Sequence, residues 1–276
     1  MDPKASALLT MVAMLASTSA LSVGGGLAVA GVSGFLGWAF QGVGPSPEAK
    51  QLVAAKPPTE VKSGLMFGGT VPMIALYCGA KIRRESYAPL ADAVLQKLEA
   101  TPDAGVLILQ SPGNIYAFKP ASVAKVLEQH PTVTCIAGHS IGGLWAAEFC
   151  KDLESAGQWP ASGLDFFYMG VHGRGVSLKP FKQLPFRKVG WSYASEDCTM
   201  LRAAEGNVPA YVARTRDELP PNAEIFYVDG GNHENYGSYG SPGPAQGLAY
   251  KDLSATISAE KQRDVVAAAI AKTAQR

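Results

Sequence analysis

The stretch Gly138-His139-Ser140-Ile141-Gly142 constrains this chain more than any other feature. Its flanks matter as much as its letters. The preceding run, Thr132-Val133-Thr134-Cys135-Ile136-Ala137, is apolar and partly β-branched, which reads as a buried strand. The run from Gly142 through Leu153 carries Leu144, Trp145, Ala147, Phe149 and Cys150 among helix-compatible residues. A strand that enters a helix through a glycine-flanked serine is a nucleophile elbow. Such a turn strains its serine, and bulky residues two positions to either side would clash; Gly138 and Gly142 meet that demand. The plainer reading is a glycine-rich βα turn whose serine caps the helix.

A serine hydroxyl attacks only when a base takes its proton, and that base needs an orienting acid. Four histidines are available. His139 lies inside the elbow and cannot fold back onto its neighbour's hydroxyl. His130 follows an expected helix and precedes Pro131, which suits a solvated helix end. His172 sits in the glycine-rich loop Met169-Gly170-Val171-His172-Gly173 and is the second candidate. His233, in Gly230-Gly231-Asn232-His233-Glu234-Asn235 directly after the strand-like run Glu224–Val228, is the expected base. The acid should lie between serine and histidine in chain order. Lys188–Ala194 reads as a strand, and Ser195-Glu196-Asp197 follows at its C-terminal end, the edge where open α/β sheets place their sites. Asp197 is the expected acid, Glu196 the reserve and Asp229 a third candidate. The competing reading makes both adjacent carboxylates loop solvation or a helix cap. An oxyanion needs backbone N–H donors. Ile141 supplies one, and Gly79 or Ala80 the other, in the loop after the strand Met73–Tyr77; the sequence does not separate those two.

With these residues in place the chain resembles the α/β-hydrolases of the alpha/beta-hydrolase-fold-5 type, an esterase-like group related in fold to dienelactone hydrolases and lipases. The resemblance spans roughly residues 64 to 270. It rests on Tyr77-Cys78-Gly79-Ala80-Lys81 with Ser86-Tyr87-Ala88-Pro89-Leu90, on Ala137–Gly143, on Ser195-Glu196-Asp197, and on Gly230-Gly231-Asn232-His233 with Tyr236-Gly237-Ser238-Tyr239-Gly240. It implies Ser140, Asp197 and His233 as a triad, and no cofactor. The chain departs from the family at Ala80 and Ala194, where glycine is usual; Ala80 puts a methyl group near the oxyanion hole.

Elsewhere the pattern is that of one α/β domain, with 276 residues, 47% hydrophobic and 17% charged. Strands are expected near 73–77, 105–110, 132–137, 163–169, 188–194 and 223–228. Helices are expected near 86–99, 120–129, 142–155 and 258–274. That alternation predicts a mostly parallel sheet with helices on both faces. Residues 170–187 are too few for a cap domain. Their Lys179-Pro180-Phe181 and Leu184-Pro185-Phe186 suit either an apolar pocket wall or a surface crossover. Net charge is +1 with no basic stripe, which argues against nucleic acid. The densest basic cluster, Lys81, Arg83 and Arg84, reads as a solvated loop. The four cysteines lack metal-ligand spacing, so no metal is expected. Cys135 and Cys150 are expected as buried thiols, while a Cys78–Cys198 disulfide stays open.

The first charge after Lys4 is Glu48. The uncharged run Ala5–Pro47 exceeds the ~20 residues a membrane helix needs. Ala7–Ala16 with Thr18-Ser19-Ala20 also suits a cleaved signal peptide. Residues 1–47 are therefore expected to be a hydrophobic anchor or signal segment, 48–63 a linker, and 64–276 the catalytic domain. The protein would be membrane-associated, or secreted after cleavage. The whole predicts a serine hydrolase acting on a small-molecule carboxylic ester. The alternatives are acyl transfer at the same site, or a membrane-tethered binding module without turnover.

Overall fold

In a computed structural model the described residues are 42–98, 101–109, 122–172, 176–240 and 252–275. They form, in order, α1 (Pro47–Ala55), β1 (Thr59–Val61), β2 (Gly64–Gly68), β3 (Val71–Tyr77), a 3-10 turn (Arg84–Tyr87) running into α2 (Ala88–Lys97), β4 (Ala104–Leu109) and α3 (Val123–Gln129). Then follow β5 (Cys135–His139), α4 (Ile141–Ser155), β6 (Asp165–Met169), β7 (Val189–Ala194), α5 (Cys198–Ala204), α6 (Val208–Glu218), β8 (Ala223–Val228) and α7 (Ala259–Ala274). The eight strands make one sheet in the order β1-β2-β4-β3-β5-β6-β7-β8. From β4 to β8 every pairing is parallel, while β1 and β2 add an antiparallel edge.

Helices cover both faces, so the central strands are buried on both sides and read as unbroken apolar runs. Ala75, Tyr77, Ile136, Phe166, Tyr168 and Trp191 face α3, α4, α5 and α6. Their chain neighbours Ile74, Leu76, Cys135, Ala137, Phe167 and Met169 face α2 and α7. Each such side chain contributes roughly 1.5–3 kcal/mol when fully buried. Period-two alternation splits one continuous apolar strand between two cores. Phe181, Leu184 and Phe186 belong to the first core, with the Phe186 ring 5.0 Å from Phe166 and 5.2 Å from Trp159. They are core residues rather than a pocket wall or a surface crossover.

Residues 48–63, expected as a linker, are structured. Ser46 caps α1 by accepting from Ala49 N–H at 3.2 Å, Pro47 opens the helix, and Glu48 sits in its first turn. β1 then joins the sheet through β2. Ser-Pro-Glu is a helix-start signal that the surrounding Pro and Gly content masked. The short helices α5 and α6 were likewise not anticipated. Lys81 is buried, not solvated, whereas Arg84 pairs with Glu60 and Glu85 on the surface. All four cysteines are buried, and none forms a disulfide. Among the described residues no helix is long and apolar enough to cross a membrane. Residues 1–41, which carry most of the expected anchor or signal, lie outside the described residues.

Candidate active site

β5 ends at His139, and Ser140 turns the chain into α4 with φ 54° and ψ −132°. A non-glycine residue with such a φ is strained and persists only where its surroundings over-determine it. Here Ser140 N–H donates to the Met169 carbonyl at 2.8 Å, and its own carbonyl accepts from Gly143 N–H at 3.0 Å. A Cβ on Gly142 would overlap the Cys78 carbonyl oxygen, and one on Gly138 would overlap the Gly143 backbone. Gly138 is therefore required for the elbow to close on its own helix, and Gly142 for its close packing against the end of β3 and the loop after it.

The three residues expected as a triad come together from three strand ends. His233 Nε2 lies 3.0 Å from Ser140 Oγ, and His233 Nδ1 lies 2.8 Å from Asp197 Oδ2. Asp197 is fully buried and caps α5, its Oδ1 accepting from Thr199 N–H at 2.8 Å, Met200 N–H at 3.1 Å and Thr199 Oγ1 at 2.5 Å. Burial alone would raise its pKa. The charge and hydrogen bond of His233, the nearby His172 and the Thr199 hydroxyl outweigh that and hold the carboxyl well below the usual range. The cap and the triad acid are one carboxylate: one oxygen serves the helix and the other the imidazole. Burial would lower the His233 pKa, but Asp197, with lesser help from Asp252 and Glu234, raises it above the ordinary value.

The reserve candidates sit elsewhere. Glu196 accepts from Ser195 Oγ at 3.1 Å, and its N–H donates to the Gly231 carbonyl. Asp229 is exposed and accepts from Tyr227 Oη at 3.1 Å. His130 ends α3, and its N–H donates to the Val126 carbonyl. His172 is buried beside Asp197, its Nε2 3.8 Å from the same Oδ2 that His233 contacts. It does not contact the serine side of the triad through any hydrogen bond; its Nδ1 lies 3.4 Å from Tyr211 Oη. Burial drops its pKa to about 4, although Asp197 pulls the other way.

Four contacts here had no sequence signal of their own. His139 is buried behind His233 with ring centroids 4.7 Å apart, and burial holds it neutral. Its Nδ1 lies 2.7 Å from Tyr87 Oη, which accepts from Gly79 N–H at 2.8 Å. Of the two second-donor candidates, Gly79 has thus committed its N–H to Tyr87. Tyr236 packs on His139 at 5.1 Å. Gly170, with φ 55°, lies beneath the pair: a Cβ there would stand 3.3 Å from both Asp197 Oδ2 and His233 Nδ1. Thr199 is the fourth, two residues after the cap Asp197. Among the described residues no group of His, Cys, Asp and Glu could hold a metal ion.

Residues 73–160 match the model of the alpha/beta hydrolase family. No curated protein matches the chain. Among solved structures it is similar to carboxyl esterase 2 of the mycorrhizal fungus Tuber melanosporum, at 12% identity and a TM-score of 0.49, covering 76% of this chain and 82% of that one. It is also similar to the esterase domain of a Rhodothermus marinus protein, at 10% identity and a TM-score of 0.49, covering 75% and 90%. A thermostable esterase from Pseudomonas putida shows 14% identity and a TM-score of 0.48, covering 83% and 89%. Sheet order, helices on both faces, the strained elbow and the family match agree, and the chain is an α/β-hydrolase-fold protein similar over residues 73–160 to the alpha/beta hydrolase family.

Proposed function

We propose that this protein is a serine hydrolase that cleaves a carboxylic ester, with Ser140 as nucleophile, His233 as base and Asp197 as its orienting acid. The observation that carries the reading is the unbroken series from Ser140 Oγ to His233 Nε2 at 3.0 Å and from His233 Nδ1 to Asp197 Oδ2 at 2.8 Å. His233 takes the hydroxyl proton as Ser140 Oγ attacks the ester carbonyl. The same imidazole then protonates the leaving alcohol, and the acyl group stays on Oγ. Water, deprotonated by His233, releases the acid and restores the serine. Asp197 keeps the Nδ1 tautomer and stabilises the imidazolium. Ile141 N–H and Ala80 N–H receive the oxyanion, since Gly79 N–H is held by Tyr87. The acyl or alkyl group is apolar and of modest size.

The test is labelling by a fluorophosphonate probe together with turnover of a graded series of acyl esters. Wild-type protein is expected to take the label and to hydrolyse at least one ester, and Ser140→Ala to do neither. Label retained on Ser140→Ala would refute the nucleophile, and folded wild type that neither labels nor turns over any ester would refute the reading.

The part of the uncharged run Ala5–Pro47 that precedes residue 42 is proposed to attach the protein to a membrane, or to be removed as an export signal near Leu21. Apolar insertion is not screened by salt, so full-length protein should stay with membranes through high-salt and alkaline washes. A soluble protein with an intact N-terminus would refute both forms.

A further inference from the structure

We infer that residues 42–48 are a positioning strap for the catalytic end of the sheet, rather than the end of an anchor segment and the start of a linker. The inference rests on the hydrolase reading above. Val43 pairs in parallel with Ile82, and Pro45 pairs antiparallel with Tyr239. The strap thus bridges, through two single-residue β-bridges, two loops that are far apart in sequence. One loop, 78–83, carries Ala80. The other, 230–240, carries His233.

The hydrogen bonds run from both edges of the strap. Val43 N–H donates to the Lys81 carbonyl at 2.5 Å, and Arg83 N–H donates to the Val43 carbonyl at 3.0 Å. On the other edge Ser46 N–H donates to the Ser238 carbonyl at 3.0 Å, and Gly240 N–H to the Gly44 carbonyl at 3.3 Å. Side chains repeat the link. Ser46 Oγ is 2.7 Å from Ser238 Oγ, which donates to Glu48 Oε2 at 2.6 Å. Glu48 Oε1 accepts from the buried Arg263 at 2.5 Å, and Arg263 reaches the Gly237 carbonyl at 3.3 Å.

Lys81 shows why the first loop needs a brace. Its φ is 62°, a left-handed conformation that non-glycine residues adopt only where their surroundings hold them there. The local turn supplies one bond, from Ile82 N–H to the Gly79 carbonyl at 3.2 Å. The strap supplies the bond to Lys81's own carbonyl and fixes the Lys81–Ile82 peptide, two peptide units beyond the one that carries Ala80 N–H. In the second loop the strap grips Ser238, five residues after His233, and Ser238 N–H in turn donates to the Ser86 carbonyl at 2.7 Å. One short segment therefore sets the distance between an oxyanion donor and the base. A misplacement of about 1 Å in such a constellation can cost about a hundredfold in rate.

The experiment uses the full chain. Val43→Pro removes the N–H that holds Lys81, and Glu48→Ala cuts the link to Ser238 and Arg263. Both should lower kcat by about ten- to a hundredfold with KM within about twofold. Glu48→Gln, which keeps an acceptor, should recover most of kcat. Hydrogen exchange should quicken at Ile82, Arg83, Ser238 and Gly240 and not in β5 or β6. Lys56→Ala, which loses the Asp92 pair at the other end of α1, should keep wild-type kcat. Unchanged kcat in both Val43→Pro and Glu48→Ala, or equal losses in Lys56→Ala, would overturn the strap while leaving the hydrolase reading intact. Unchanged exchange in Val43→Pro would overturn it whether or not the protein turns over an ester. Wild type without label or turnover would overturn both.

Discussion

Two histidine loops converge on one carboxylate oxygen. The loop after β8 brings His233 Nδ1 to 2.8 Å from Asp197 Oδ2, and the loop after β6 brings His172 Nε2 to 3.8 Å from the same oxygen. Both rings are buried, yet their ionisation moves in opposite directions. His233 is raised, because a direct hydrogen bond to Asp197 and the charges of Asp197, Asp252 and Glu234 overcome desolvation. His172 falls to about 4, because burial among the Trp191 and Tyr211 rings, with the repulsion of His233, outweighs the pull of Asp197. A buried carboxylate does not by itself make a neighbouring histidine basic. One ångström of separation and the rest of the shell decide which ring becomes the base.

The comparison is broken most sharply at its shared carboxylate. Asp197→Asn should lower kcat by about 10⁴, the effect known for a serine-protease triad whose acid is changed to the amide. The amide removes the stabilised imidazolium and favours the wrong tautomer of His233. It also keeps a cap acceptor for Thr199 and Met200 N–H, so folding should survive. A loss below about tenfold would mean that the carboxylate is only the helix cap.

The pH profile separates the two rings in wild type. The base must be neutral to take the serine proton, so kcat/KM should fall about tenfold per pH unit below the His233 pKa. Because that pKa is raised, the acid limb should lie above the ordinary 6.5. A limb near 4 would point to His172 as the titrating base and would reverse the assignment.

How legible this arrangement was depends on how local its causes are. Gly138, Ser140 and Gly142 lie on one turn, and their steric demand is visible in five letters. The βα alternation and most strand cores were equally readable, since period and burial are properties of short windows. The β1–β2 edge was missed because Thr59–Val61 is three residues long and polar on its open side. Tyr87, His139 and the strap meet only after residues scattered along the chain fold together, and no window of sequence contains both Val43 and Lys81. The linker expectation for 48–63 failed for the same reason. Proline and glycine read as flexible by composition, but Ser46 and Glu48 are held by Ser238 and Arg263 about 190 and 215 positions away.

His172→Gln sharpens the contrast through stability rather than rate. At pH 7 the ring is neutral, so its loss removes no charge from Asp197, and kcat should change no more than a few-fold. The linkage signs differ between the two histidines. A folded pKa of about 4 against 6.5 unfolded means that the unfolded chain binds the proton first. His172 therefore destabilises the fold as pH falls from about 6.5 to about 4, by on the order of 3 kcal/mol in total. His233 acts the other way: its raised value adds stability that is present below 6.5 and lost as pH rises through its folded pKa. Urea unfolding at pH 7.5 and at pH 5 should show His172→Gln losing less stability on acidification than wild type. Equal losses in the two proteins would mean that His172 does not titrate differently in the fold.

The smallest effect is expected next to the shared acid. Glu196 precedes Asp197 and is half-buried, yet its carboxylate is turned to Ser195 Oγ at 3.1 Å, and Ser195 Oγ in turn accepts from Gly230 N–H at 2.8 Å. Its backbone N–H, which any residue retains, donates to the Gly231 carbonyl at 2.8 Å. Glu196→Gln preserves an acceptor for Ser195 and changes no contact of His233, so kcat should stay within about twofold. Steady-state kinetics on the same ester used for Asp197→Asn makes the two variants directly comparable. A loss at Glu196→Gln equal to or larger than that at Asp197→Asn would move the acid one residue toward the N-terminus. It would also require the loop to turn about the Gly231 bond before an ester could react.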